Sequence, residues 1–115
     1  MTQHDDDINA RLTKLYADYR QQLPERINHI SQLFEAYCAQ TNPSTALPDL
    51  HYALHKLAGS GATFGHPEMG NIARHWEHLV SVLMNSSAPP SSSQQREMLS
   101  LLTQLSQATR LTDAP

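Results

Sequence analysis

The chain has 115 residues, 39% of them hydrophobic, which is enough for a single domain with its own core; eight Lys and Arg against eleven Asp and Glu leave a net charge of −3 with neutral His and no basic stripe to hold nucleic acid. A lone cysteine, Cys38, excludes an intramolecular disulfide and a zinc knuckle, and reads as one small apolar residue in a helix. The start, MTQHDDDIN, has neither the positive nor the apolar region of a secretory signal, and no segment approaches the roughly 18 apolar residues of a membrane span, so the expectation is a soluble, cytoplasmic chain.

Apolar residues recur at helical spacing from end to end. Ile8, Leu12, Leu15 and Tyr19 mark a first helix behind an acidic tail of about residues 1–7, where Asp5, Asp6 and Asp7 can cap its start. Pro24, suited to a first helical turn, predicts the start of a second helix carrying Ile27, Ile30, Phe34 and Tyr37 and ending near Thr41 to Pro43. A third runs from about Pro48 through Leu50, Leu54 and Leu57 to Phe64, with Gly65 as its C-terminal cap. Pro67 and Glu68 open the next, whose stripe of Met69, Ile72, Ala73, Trp76, Leu79, Val80 and Leu83 is the clearest in the chain. A polar Pro/Ser-rich connector over about 85–94 precedes a last amphipathic helix of Met98, Leu101, Leu102, Leu105 and Ala108. The expected fold is all-α: an up-and-down antiparallel four-helix bundle with an additional N-terminal or flanking helix, forming one domain over residues 1–115.

The stretch LHKLAGSGATFG, residues 54–65, departs from good helix chemistry, since each Gly inside a helix costs roughly 1 kcal/mol relative to Ala. At about 100° per residue, Leu50, Leu54, Leu57, Gly61 and Phe64 share one side and His55 points away from it. The residues at i+3, i+4 and i+7 from His55 are Ala58, Gly59 and Ala62, so the imidazole is expected to stand over a floor of small residues, with Gly61 letting another helix come close. An unobstructed, largely neutral imidazole is a nucleophile that can accept a phosphoryl group and return it, provided a partner can bring that group in line.

HKLAGSGATFG in a short all-helical chain resembles the histidine-containing phosphotransfer (HPt) domain of bacterial two-component phosphorelays, whose motif is approximately His-x-Leu-x-Gly followed by small residues and a helix-ending Gly. His55 matches the phosphorylated histidine, Leu57 the buried leucine, Gly59 the glycine one turn on, Ser60 and Gly61 the small pair, and Phe64 and Gly65 the helix end. The likeness extends to LPERINHISQLFEAY as the helix before it and to Met69 through Leu83 as the helix behind the histidine. It implies a phosphocarrier rather than an autonomous enzyme: His55 would take a phosphoryl group from a receiver-domain aspartate and pass it to a response regulator. The partners implied are receiver domains or a hybrid histidine kinase, with no cofactor on this chain and Mg²⁺ only in the partner receiver; a monomer is expected.

One position departs from the family pattern. Many members carry Lys three residues after the histidine, where this chain has Ala58, and Lys56 points about 100° away around the helix. A replacement cation can come from the next helix, where Arg74, His75, Glu77 and His78 reach the height of His55, and Arg74 is the candidate. Lys56, His51 and Tyr52 complete the expected supporting and docking set, Tyr52 as the outward edge of the docking surface; the other tyrosines and Trp76 are assigned to packing. Two rival readings stay open: a His-rich metal site built from His51, His55, His75 and His78, and an HPt-like module that docks on a receiver without accepting phosphate.

Overall fold

The computed structural model describes residues 3–39, 43–86 and 88–113. Four helices follow one another: α1 (Gln3–Cys38), α2 (Pro43–Thr63), α3 (Pro67–Met84) and α4 (Ser92–Asp113), with no strand among the described residues. Each packs on the next in the chain and α4 returns to α1, the arrangement of an up-and-down bundle. Leu23 and Ile30 of α1, Leu50, Leu54 and Leu57 of α2, Trp76 and Val80 of α3, and Met98 and Leu105 of α4 meet in one dry core. Phe34 stands edge-on to Trp76 with ring centroids 5.7 Å apart.

The expected N-terminal helix is not separate. Residues on both sides of Pro24 form one helix of 36 residues, and Asp6 and Asp7 lie within its first turns rather than ahead of it. Proline removes one backbone hydrogen bond and crowds the preceding turn, at about 3 kcal/mol or more. Pro24 itself faces solvent, while Tyr19 and Leu23 before it and Ile27, Ile30, Phe34 and Tyr37 after it are buried on a single stripe. Burying such side chains contributes roughly 1.5–3 kcal/mol each, so unbroken packing outweighs the local cost. Helix α2 behaves alike, beginning at Pro43 and running through Pro48. Because α1 is so long, its first turns outrun the bundle: Ile8, Leu12 and Leu15 continue the core stripe but remain exposed, and the molecule measures 60 × 25 × 19 Å.

At the end of α2 the chain reverses as its glycine predicts. Gly65 takes φ +85°, and the His66 amide donates to the Gly61 carbonyl at 2.8 Å, the six-to-one bond of a left-handed C-cap. Pro67 then starts α3, and Gly70 N–H donates to His66 O at 3.0 Å. Tyr19 of α1 closes this corner, stacking on Phe64 at 4.7 Å and sharing a 2.7 Å hydrogen bond with Ser60. Helix α4 starts inside the Pro/Ser-rich stretch because Ser91 and Gln94 cap one another: Ser91 Oγ accepts from Gln94 N–H, and Gln94 Oε1 accepts from Ser91 N–H.

Close approach of α2 and α3 explains two glycines. A Cβ on Gly61 would sit 3.0 Å from Met69 Cε and 3.3 Å from Gly70 Cα; one on Gly70 would sit 3.1 Å from the Ala58 carbonyl and 3.3 Å from the Ala62 amide. At Gly70 the obstacle is backbone, which cannot swing aside. Gly70→Val is therefore expected to push the hairpin apart, costing about 1–3 kcal/mol and lowering the melting temperature by roughly 5 °C or more in a thermal denaturation. An unchanged melting temperature would show that the hairpin has slack here.

Candidate functional site

The tight hairpin sets the height of every side chain along it. His55 and Glu77 lie eleven residues before and after His66 and come face to face, His55 Nδ1 2.8 Å from Glu77 Oε2. An ionised carboxylate only accepts, so in a neutral imidazole this contact puts the ring proton on Nδ1 and leaves the lone pair on Nε2. The His55 side chain is 69% exposed and that of Glu77 only 19%, so the carboxylate forms a recessed foot beneath an imidazole open to solvent.

A second imidazole borders the same carboxylate. His51, one turn before His55, places Nε2 2.9 Å from Ser81 Oγ and 3.7 Å from Glu77 Oε2. His55, Ala58, Gly59, Arg74, Glu77, His78 and Ser81 line a shallow groove of about 400 Å³ between α2 and α3. Arg74 is exposed at its rim and makes no hydrogen bond or ion pair with the other described residues.

The small neighbours of His55 divide into two kinds. Gly59 is exposed, and a Cβ built there meets nothing within 4 Å. Ala62 is exposed as well. Ala58, expected on the same open floor, is instead buried at 3% exposure. Around the helix it lies about 60° from His55 toward Leu54 and Gly61, and the close passage of α3 covers that flank. A lysine in its place would enter this groove from the seam between the helices.

Lys56 and Tyr52 belong to the opposite flank of α2. Tyr52 is 62% exposed, Lys56 Nζ stands 4.5 Å above its ring, and Lys56 shares a separate groove with Arg26 and His29 of α1. Of the four α3 residues expected at the height of His55, the structure turns Arg74, Glu77 and His78 to it and His75 away. His75 faces α4, with Nε2 3.4 Å from Glu97 Oε1. His51, His55, His75 and His78 are thus not gathered, and among the described residues no group of three or more His, Cys, Asp or Glu is placed to hold a metal. Cys38 lies far along α1, where burial pushes its thiol above the usual range and away from thiolate chemistry.

A four-helix bundle that presents a carboxylate-backed histidine from its second helix has the build of a histidine-bearing helical module. The family model for the Hpt domain matches residues 14–108, and the chain belongs to that family. Hpt domains serve histidine phosphotransfer in two-component phosphorelays, interact with receiver domains of response regulators, and act as phosphocarriers rather than as enzymes with active sites of their own. The match starts at Lys14, leaving outside it most of the exposed turns by which α1 outruns the bundle. No curated protein and no solved structure matches the chain. Among the described residues, no helix is long and apolar enough to cross a membrane.

Proposed function

We propose that His55 Nε2 is the phosphoryl acceptor of a cytoplasmic, monomeric relay protein, loaded by a receiver-domain aspartyl phosphate and unloaded onto a response regulator. The observation that carries this reading is the 2.8 Å contact between His55 Nδ1 and Glu77 Oε2. It selects the tautomer in which Nε2 is nucleophilic, with no proton to remove before attack. As the Nε2–P bond forms, the bond between phosphorus and the receiver's aspartate oxygen breaks and the aspartate leaves as carboxylate. The ring gains positive charge, which Glu77 stabilises through the Nδ1–H it already holds. Reversal uses the same contacts, so the protonated ring departs as neutral imidazole when phosphate passes to the next aspartate.

Arg74 supplies the cation that Lys provides in many members of the family, reaching the phosphoryl oxygens from α3. The divalent cation of the transfer belongs to the receiver. Gly59 and Ala62 leave clearance for the receiver's surface, and Tyr52 with Lys56 edges the docking face on the other flank. A module that only docked would have no use for a carboxylate holding Nδ1, which favours the carrier reading over a silent one.

Glu77→Gln tests the chemistry. Glutamine keeps the shape and an acceptor oxygen but loses the charge that opposes the forming imidazolium. Loading of His55 from a phosphorylated receiver is expected to slow about tenfold or more, equivalent to roughly 1.4 kcal/mol, with the melting temperature close to that of the parent. Loading at the parental rate would remove Glu77 from the mechanism.

A further inference from the structure

Glu77 has two imidazoles within reach and serves one. His55 Nδ1 is at hydrogen-bond distance, whereas His51 Nε2, at 3.7 Å from the same Oε2, is just beyond it. What keeps His51 there is Ser81, whose Oγ lies 2.9 Å from His51 Nε2. Ser81 follows Glu77 by one helical turn, so the two side chains stand on one face of α3, while His51 and His55 stand one turn apart on the facing side of α2. The four make a ladder with two rungs, His55 to Glu77 and His51 to Ser81.

We propose that Ser81 and His51 position the nucleophile: by accepting the Nε2–H of His51, Ser81 holds that imidazole off Glu77 and reserves the carboxylate for His55. This rests on the phosphoacceptor reading of His55 and deepens it. Without the serine hydroxyl, a neutral His51 with its proton on Nε2 needs to move only the small distance between 3.7 Å and an ordinary hydrogen bond to reach Glu77 Oε2. A carboxylate shared by two donors holds each less firmly, and His55 is then freer to carry its proton on Nε2, where it blocks attack. Arg74 and His78 share this groove, while the α1 side of α2 carries Arg26 and His29 in a separate groove with Lys56. Neither of those α1 groups competes for the carboxylate.

The test compares the parent, Ser81→Ala and Ser81→Ala/His51→Leu at pH 8, where ordinary imidazoles are neutral. Alanine at position 81 keeps a good helix former on a half-exposed site, so the fold is retained and a melting curve verifies it. Nitrogen NMR of the His55 ring reads the tautomer directly and needs no phosphate. Ser81→Ala is expected to lower the Nδ1–H fraction and to slow loading from a phosphorylated receiver by about threefold or more; removing His51 as well is expected to restore both. Parental ring shifts in Ser81→Ala, or a change that persists in the double variant, would overturn the proposal. A parent that takes no label on His55 would defeat the phosphoacceptor reading itself, a failure the NMR arm separates from the first.

Discussion

His55→Gln is expected to lose phosphoryl acceptance altogether while melting close to the parent. The side chain is 69% exposed and hydrogen-bonds to Glu77, so its replacement belongs with surface substitutions, usually within about 0.5 kcal/mol. Glutamine can still bond to Glu77 through its amide, but it offers no ring nitrogen to phosphorus. None of the other described histidines reproduces the arrangement. His51 is half-buried against Ser81, His75 meets Glu97 across another groove, and His66 is buried behind the α2–α3 turn. Labelling with a phosphorylated receiver and autoradiography of the chain measures this, and retained label in His55→Gln would move the site elsewhere.

The second large effect separates clearance from packing. Gly59 stands one turn from His55, and a Cβ there would meet nothing within 4 Å, in contrast to Gly61 and Gly70. Gly59→Gln should therefore preserve or raise the melting temperature, since replacing an exposed helical glycine by a good helix former is worth a few tenths of a kcal/mol up to about 1. On the phosphoacceptor role proposed for His55, its side chain would nonetheless stand in the receiver's path to the imidazole. Transfer from a phosphorylated receiver is expected to fall at least about tenfold, or roughly 1.4 kcal/mol at the transition state, whereas loading from phosphoramidate, a donor needing little clearance, falls much less. A variant that transfers at the parental rate would mean the glycine does not serve the partner.

Particular residues show what the sequence made legible. The apolar stripes of α2, α3 and α4 were readable because burial repeats at the helical period, and the turn at Gly65 because a positive φ selects glycine. The continuity of α1 was not, since Pro24 is a local stop signal that only the packing of Leu23 and Ile27 on the rest of the bundle overrides. The early start of α4 has a local cause in the Ser91 and Gln94 pair, set in a stretch whose composition resembles a linker.

At the site, the outward pose and small neighbours of His55 followed from helical geometry alone. Ala58 did not, because at about 60° from His55 it lies on a boundary that depends on how closely α3 approaches. Glu77 stood among four residues at the right height, and choosing between them requires the rotation of α3 about its axis. That rotation is set by Trp76 and Val80, which are fully buried in the core. With Trp76 and Val80 turned inward, Glu77 and Ser81 face α2 and His75 faces α4.

The most direct measurement is to incubate the chain with a phosphorylated receiver domain, isolate the labelled protein and map the modified residue by peptide sequencing. The account predicts label that is lost in acid, survives base, and resides on the peptide containing His55. Label on any other residue, or none transferred from a panel of receivers that load a control Hpt domain, would contradict it.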